Sequence, residues 1–169
     1  LERFDSRQGL PNNRVPSLFV DREGSVWAGT NGGLLRLRDA PFTTYGSEQG
    51  LSDDYVRAVI PARDGGMWIG TSRGLNLWRN GALVRSFTRA DGLPSDSIMS
   101  LLEDPDGTLW VGTYTAGVLQ MRGGRVIRHL DSAHGLTGSN QVRALLRTGP
   151  KTLWIGTSRG LVRLQGGTM

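Results

Sequence analysis

The octapeptide WIGTSRGL at residues 68–75 recurs unchanged at 154–161. Two related segments read WAGTNGGL at 27–34 and, with one extra residue, WVGTYTAGV at 110–118. The tryptophans that open these four segments, Trp27, Trp68, Trp110 and Trp154, are spaced by 41, 42 and 44 residues. A repeat of about 40–45 residues with strand-like segments is typical of a β-propeller, in which each repeat forms a four-stranded blade.

Each repeat reads as four short strands separated by turn residues. The first is an apolar run such as 56–60, the second is the Trp-x-Gly-Thr segment, the third follows the Gly-Leu step, and the fourth resembles 42–45. No segment keeps a helical period over ten residues, so we predict an all-β chain with one domain over 1–169. The predicted blades are 9–49, 50–91, 92–134, and 135–169 completed by 1–8.

The repeat explains why the chain contains as many as 25 glycines. One glycine lies inside the second strand of each blade, where it allows close approach of neighbouring backbone; these are Gly29, Gly70, Gly112 and Gly156. The four repeat tryptophans are predicted to seal each blade against the next. Trp78 lies outside the pattern, at the position of Leu37 and Leu164, and is expected to be a packing residue that matters less if it is partly exposed.

Composition excludes several classes of protein. The chain has no cysteine, so it has neither disulfides nor thiolate metal sites. Its net charge of +5 comes from arginines scattered singly rather than clustered, which argues against nucleic-acid binding. No apolar run approaches about 18 residues, so no membrane contact is expected. The chain starts at Leu1 without a charged and apolar leader, and we expect a mature segment or part of a longer protein.

No residue set in the sequence predicts catalysis, a metal or a cofactor. His129 and His134 are the only histidines, and we expect them to be a surface pair on an outer strand and turn. The Asp104–Gly107 segment starts like a calcium loop but lacks the later ligands. One Asx residue precedes the first strand of each blade and is expected to accept hydrogen bonds from backbone amides: Asn13, Asp54, Asp96 and Asn140.

A ligand-binding face is predicted from the order of the strands. The loop entering the first strand and the turn leaving the second strand fall on the same face of each blade. These loops carry Arg, Tyr and Asn side chains that suit a polar ligand such as a glycan or an acidic peptide. The candidate ligand-binding residues are Asn31, Arg57, Arg73, Tyr114, Arg143 and Arg159.

The repeat resembles that of the two-component-regulator propeller family. The resemblance rests on Gly-Leu-Pro, then Asp-x-x-Gly-x-x-Trp-x-Gly-Thr and Gly-Leu, most fully at 9–34 and 92–118, and it extends over the whole chain. It implies an extracytoplasmic, periplasmic sensor that binds a ligand without catalysis, within a bacterial receptor that carries a kinase or diguanylate cyclase. In the fourth repeat, Lys151 replaces the glycine before Trp154, which implies a different turn there.

Two other functions and the closure of the ring stay open from the sequence. A pure protein-interaction scaffold would use the same fold without a small ligand. Streptogramin lyases have similar repeats but need magnesium and a catalytic histidine near the channel, whereas both histidines here fall on an outer segment.

The N-terminal segment bears on how the ring of blades closes. Leu1–Ser6 aligns with the rim segments and predicts a strand that completes the fourth blade. That blade belongs either to the same chain, in a four-bladed ring, or to a second copy in an eight-bladed homodimer, the arrangement we favour because related propellers have larger rings. An open fragment is the third alternative.

Overall fold

The computed structural model describes residues 4–38 and 40–166, and within them every regular element is a β-strand or a short 3₁₀ helix. Four antiparallel sheets follow one another along the sequence, and in each of them neighbouring strands pair in chain order. This is the strand arrangement of propeller blades, so the predicted fold class is confirmed. Among the described residues, no helix is long and apolar enough to cross a membrane.

The chain divides into two compact units, Leu1–Ser86 and Phe87–Met169. The first contains blade one and blade two. The strands of blade one are β1 (Ser17–Val20), β2 (Val26–Thr30), β3 (Gly33–Arg38) and β4 (Ala40–Tyr45). Those of blade two are β5 (Val56–Pro61), β6 (Met67–Thr71), β7 (Leu75–Arg79) and β8 (Ala82–Phe87), the last residue of which begins the second unit.

The second unit contains blade three and blade four. The strands of blade three are β9 (Ile98–Glu103), β10 (Leu109–Thr113), β11 (Val118–Arg122) and β12 (Arg125–Leu130). Blade four consists of β13 (Val142–Arg147), β14 (Thr152–Thr157) and β15 (Gly160–Gln165). Within the described part of the chain, blade four therefore has three strands where the other blades have four.

The strand glycines allow the close contact between blades that the sequence predicts. A Cβ atom placed at Gly29 would lie 2.6 Å from Cγ1 of Val56, the first residue of the next blade. In the second unit, a Cβ at Gly112 would lie 2.7 Å from Cγ1 of Val142. A valine methyl group thus occupies the space that a side chain on the preceding blade would need. We call each such contact a blade joint.

The tryptophans differ in burial more than the repeat predicts. Trp27 and Trp110 are buried in the apolar cores of the first and second units, respectively. Trp68 and Trp154 are only half-buried. Trp78 is 1% exposed, so it is not the partly exposed exception that the sequence allowed for. Its place opposite Met67 matches that of Leu37 opposite Val26, which makes it part of the core of the first unit.

A short 3₁₀ helix precedes each blade, and before blades two, three and four it follows the fourth strand of the preceding blade. The Asx residue seven or eight positions further on accepts a hydrogen bond from the first amide of that helix, as predicted. The donor N–H groups belong to Ser6, Ser47, Arg89 and Ser132, and their acceptors are Oδ1 of Asn13, Asp54, Asp96 and Asn140, at 2.7, 2.6, 2.5 and 2.7 Å.

The N-terminal strand prediction needs a correction. Residues 1–3 lie outside the described residues, Phe4 and Asp5 are not in a strand, and Ser6 begins the 3₁₀ helix Ser6–Gln8. Asp5 caps this helix with a capping box: its carboxylate accepts the amide of Arg7 while its own amide donates to the side chain of Gln8. The helices that follow β4, β8 and β12 hold the same place, Ser47–Gln49, Arg89–Asp91 and Ser132–His134.

Candidate ligand-binding site

One main-chain hydrogen bond joins the two predicted loops in every blade. The donor N–H lies in the turn after the second strand, and the acceptor carbonyl lies in the loop before the first strand. The bonds run from Asn31 to Arg14, Ser72 to Tyr55, Tyr114 to Ser97 and Ser158 to Gln141, at 3.3, 3.1, 2.9 and 3.0 Å. The two loops of each blade therefore lie side by side, as predicted. We call this side of the blades the loop face.

In the first unit the loop face carries three of the candidate residues. Arg73 is exposed, and its Nε lies 3.3 Å from Oδ2 of Asp53. The guanidinium of Arg57 lies over the ring of Tyr55, 4.8 Å from its centroid, which holds the charge against an apolar surface. Asn31 is half-buried, and its Oδ1 has no hydrogen-bond partner among the described residues. This surface therefore offers guanidinium donors, whereas the Asn31 amide oxygen is buried.

The second unit carries the other three candidates on its own loop face. Tyr114, Arg143 and Arg159 are exposed. The amide of Arg159 donates to Oγ1 of Thr157 at 3.2 Å, so the Thr157 side chain fixes the turn that presents this arginine. The six candidate residues thus lie three in each unit, all on the side of the blades that the sequence predicts.

A cleft of about 420 Å³ lies in the first unit at the opposite ends of these strands. The β1–β2, β5–β6 and β7–β8 hairpins surround it, and none of the six candidate residues contributes to its lining. Its lining combines aromatic rings with charged side chains, including those of Phe19, Trp27, Trp78, Arg22, Glu23, Arg36 and Arg79. Such a mixture of flat apolar surface and charged groups suits a polar organic ligand.

Asp21 organises one wall of the cleft. It accepts hydrogen bonds from the indole Nε1 of Trp27 at 2.8 Å and from the amide of Ser25 at 2.7 Å. Burial alone would raise the pKa of Asp21, but these hydrogen bonds and the guanidinium of Arg36 hold it below its ordinary value. Arg36 also lies over the Trp27 ring, 5.2 Å from its centroid. The carboxylate therefore stays charged and keeps the tryptophan and arginine in place.

Two buried donors line the same cleft without partners. Nε1 of Trp78 and Nε of Arg79 make no hydrogen bond within the part of the chain that the structure describes. Because buried donors are normally satisfied, these two groups mark a place where a water molecule or a ligand acceptor fits. They lie at the start of the Asn80–Gly81 turn, in which Asn80 adopts a φ of 51°.

Sequence reasoning missed this cleft because its residues come from separate hairpins. One signal was present: an aspartate precedes the repeat tryptophan by six residues in blade one and in blade three. In blade three, Asp104 accepts a hydrogen bond from Nε1 of Trp110 at 2.7 Å, as Asp21 does from Trp27. Blade two has Ala62 at this position. Ala62 lines the cleft, and the alanine leaves no carboxylate at this position.

The two histidines lie on the rim, where the sequence places them. His129 is on β12, with Nε2 2.6 Å from the carbonyl oxygen of Ala116, and Nδ1 of His134 is 2.6 Å from Oδ1 of Asp131. The hydrogen bond from His134 lowers the pKa of Asp131, although partial burial opposes the shift. Among the described residues, no three His, Cys, Asp or Glu side chains group in a way that could hold a metal ion.

The sequence matches the family described as "Two component regulator propeller" at residues 9–32, 50–73 and 92–115. The three segments correspond to the loop, first strand and Trp-x-Gly-Thr segment of the first three blades. No curated protein matches the chain significantly. The fourth repeat falls outside the matched segments, in keeping with its departure from the pattern at Lys151.

Solved structures with the same fold include extracellular domains of putative hybrid two-component systems. The extracellular domain of the putative hybrid two-component system BT3049 from B. thetaiotaomicron has a TM-score of 0.75 and 24% identity, over 87% of this chain and 21% of that one. For the extracellular domain of BT4673 from the same organism, the TM-score is 0.77 and the identity 22%, over 95% and 24% of the two chains. This chain therefore spans about a fifth to a quarter of their length.

A lyase with this fold is more distant. Virginiamycin B lyase from Staphylococcus aureus has a TM-score of 0.67 and 13% identity, over 93% of this chain and 57% of the lyase. At these identities the structures share the fold, and the chemistry has to be argued from the residues of this chain.

Proposed function

The chain carries two-component regulator propeller repeats, and from this premise we propose that it is a non-enzymatic ligand-binding sensor module of a bacterial signalling receptor. In this proposal the module lies outside the cytoplasm, in the periplasm, because the similar structures are described as extracellular domains. A kinase or diguanylate cyclase elsewhere in the receptor would provide the output.

The loop face is the observation that carries this proposal. The same main-chain hydrogen bond fixes a pair of loops in all four blades, and these loops present a different set of side chains in each blade. A rigid scaffold that presents variable loops is the usual design of a binding surface. The exposed groups are arginines and a tyrosine, so we propose a ligand rich in hydroxyl or carboxylate groups, namely a glycan or an acidic peptide.

A ligand screen tests this proposal. The purified chain is heated with oligosaccharides and with acidic peptides, and the unfolding temperature is recorded for each. We expect a reproducible increase with one of these classes that is lost in the variants Arg73→Ala and Arg159→Ala. Arg125→Ala, which changes an exposed arginine on rim strand β12, serves as the matched control and should keep the response. A response that survives both loop-face variants would contradict a site on the loop face.

The cleft of the first unit is a second candidate site for the same ligand class. Its two unpartnered buried donors, on Trp78 and Arg79, support this possibility. Binding there should be reduced by Arg22→Ala and Glu23→Gln, which change exposed side chains at its mouth. The two pairs of variants therefore assign any observed ligand to one side of the blades or to the other.

Two other functions make different predictions. A protein-interaction scaffold would show no thermal response to any small ligand and would instead bind a folded partner. A streptogramin-lyase-like enzyme would open a cyclic ester in the presence of magnesium. We expect no such activity, because both histidines lie on the rim and each contacts groups of its own blade. Hydrolysis of a streptogramin B substrate that depends on magnesium would overturn the non-enzymatic proposal.

A further inference from the structure

The last repeat carries the entire net charge of the chain. Residues 135–169 contain four arginines and one lysine but no aspartate or glutamate, so their charge of +5 equals that of all 169 residues. Two of these arginines have partners within the second unit, since Arg147 is in an ion pair and Arg163 lies over an indole ring. Arg143 and Arg159 lie on the loop face, and neither has an acidic partner among the described residues.

The turn that presents Arg159 occurs a second time, in blade two. Arg73 and Arg159 lie in identical octapeptides, and each arginine amide donates to Oγ1 of the threonine two residues earlier at 3.2 Å. Arg57 and Arg143 correspond in the same way, because each is the second residue of the first strand of its blade. The two blades therefore present the same pair of arginines, and they differ in the loop that lies beside them.

In blade two that loop places a carboxylate in front of the turn. Oδ2 of Asp53 lies 3.3 Å from Nε of Arg73. Oδ1 of the same carboxylate accepts hydrogen bonds from the hydroxyl of Ser72 and from the amide of Tyr55, each at 2.7 Å. Asp53 thus acts as an internal ligand: a hydroxyl and an amide hold one oxygen, and the other oxygen faces the guanidinium.

In blade four Ser139 takes the place of this aspartate. Its Oγ accepts the amide of Gln141 at 3.1 Å, as the aspartate accepts the amide two residues further on, and it lies 2.8 Å from Oγ of Ser158. The serine is shorter and uncharged, so no counterpart of Oδ2 faces Arg159 within the part of the chain that the structure describes. The loop and the turn keep their contacts, but the chain itself does not supply the anionic half of the site.

The charges and the hydroxyl protons both favour an anion at this place. In blade two Asp53 and Asp54 balance the two arginines, whereas Ser139 and Asn140 at these positions of blade four leave a charge of +2. The contact between the Oγ atoms of Ser139 and Ser158 uses one of their two protons, and the other O–H group remains a donor. Blade four therefore offers guanidinium and hydroxyl donors together, without a carboxylate of its own.

We propose that the loop face of blade four binds a carboxylate group of a ligand at Arg159. This proposal rests on the loop-face site of the proposed function and adds the blade and the chemical group that it recognises. The ligand carboxylate would take the place that Asp53 takes in blade two, with one oxygen on Nε of Arg159 and the other on the free hydroxyl of the serine pair. Arg143 adds a second positive charge, and charge-assisted hydrogen bonds of this kind favour a carboxylate over a neutral group.

A titration of the unmodified chain at low ionic strength tests this site. The probes are a triglutamate peptide and a trimer of a hexuronic acid, with a triglutamine peptide and a neutral hexose trimer as their uncharged counterparts. The readout is the Nε–H resonance of Arg159 in heteronuclear NMR spectra, which is assigned by its absence from Arg159→Ala. We expect at least one acidic probe to shift this resonance, and the probe that binds more tightly identifies a peptide or a sugar as the source of the carboxylate. If the uncharged probes bind as tightly as the acidic ones, or if the resonance does not move, the proposal is wrong.

Ser139→Asp should block the site because it restores the internal carboxylate. This variant should bind the acidic probe about fivefold more weakly than Ser139→Asn, which has nearly the same shape but no charge, and such a factor is typical of an exposed ion pair. An asparagine suits this position, because Asn12 holds it in blade one and accepts the amide of Arg14 at 2.8 Å. Equal affinities of the two variants would overturn the proposal, since charge would then not decide binding.

The reverse exchange should create the site in blade two. A chain with Asp53→Ser and Asp54→Asn carries the same two residue types there as blade four, and circular dichroism shows that it is folded. We expect the Nε–H resonance of Arg73 to respond to the acidic probe in this variant but not in the unmodified chain. If Arg73 does not respond in the folded variant, Asp53 does not stand in for a ligand and the proposal fails.

These outcomes are separable from those of the sensor proposal. A neutral oligosaccharide that raises the unfolding temperature without moving the Arg159 resonance would overturn the carboxylate site and leave the ligand-binding module in place. An acidic probe that binds at Arg159, while no compound raises the unfolding temperature, would support the carboxylate site and count against the sensor.

Discussion

The guanidinium of Arg147, on the first strand of blade four, binds both carboxylate oxygens of Asp104 at the β9–β10 hairpin of blade three. Its Nε donates to Oδ1 at 2.8 Å and its Nη2 donates to Oδ2. The same carboxylate accepts a hydrogen bond from the indole N–H of Trp110. The Cζ atom of Arg147 lies over that indole ring, 5.6 Å from its centroid. One carboxylate therefore connects two blades through a mostly buried ion pair.

Arg147→Ala should lower the free energy of unfolding by about 1–3 kcal/mol, since it leaves the Asp104 carboxylate without its charged partner. The measurement is a urea melt followed by circular dichroism. Arg125→Ala, on an exposed part of β12, should change stability by less than about 0.5 kcal/mol. A double-mutant cycle with Asp104→Asn should show a coupling between the two residues, and additive effects would contradict it.

Trp78→Ala should be among the most damaging core substitutions, at about 3–5 kcal/mol, because the ring is fully buried and contacts Tyr45 edge-on at 5.1 Å. Trp154→Ala should cost less, because Trp154 is half-buried in blade four. Urea melts of both variants provide the comparison. An equal loss of unfolding free energy for the two variants would show that the difference in burial between these tryptophans does not determine how much each contributes to stability.

Gly29→Ala should destabilise the first unit by about 1–3 kcal/mol through overpacking, since its Cβ would meet Oγ of Ser17 at 2.3 Å and Cγ1 of Val56 at 2.6 Å. Gly156→Ala is the control, because its nearest neighbour would be Cβ of Ala144 at 3.2 Å. Adding Val56→Ala to Gly29→Ala should restore part of the loss in thermal melts. If the second substitution only adds to the damage, the steric account of the joint is wrong.

Acid should destabilise the chain partly through Asp21. Its pKa in the folded chain is lowered, so the unfolded chain binds the proton more tightly than the folded chain does. The stabilisation is therefore complete above the ordinary pKa of an aspartate, about 4, and is lost as the pH falls through the lower, folded value. Asp21→Asn should flatten this acid dependence of the unfolding temperature between about pH 5 and pH 2. Glu23→Gln, on the same turn, should leave most of it in place.

The blades could be predicted from the sequence because the repeat constrains the backbone in the same way four times. Trp-x-Gly-Thr occurs once per blade, and its glycine is needed wherever a following blade approaches, as at Gly29 and Gly112. The loop face followed from strand order alone, and the hydrogen bond from Ser72 to Tyr55 is one of four that confirm it. These features are the same in every repeat, so four copies of the pattern strengthen each inference.

Features that differ between repeats could not be predicted in this way. The burial of Trp78 depends on Tyr45 and Met67, which reach it from another blade and from another strand. The cleft arises where three hairpins meet, and the small Ala62 replaces an aspartate of the pattern there. The N-terminal segment keeps the helix cap of its repeat counterparts at Asp5, but Phe4 before it is not in a strand, unlike the residues before the other caps.

The blade joint also has a consequence for how such chains evolve. Gly29 with Val56 and Gly112 with Val142 make the same contact in two different units, so part of the packing between consecutive blades depends on positions that recur in the repeat. Duplicating or exchanging a whole repeat then preserves the contact at these positions, and stability in such chains comes largely from nearest-neighbour interactions. A substitution at either residue of the pair, by contrast, would change this contact, and the repeat could then no longer be exchanged with the others without loss of packing.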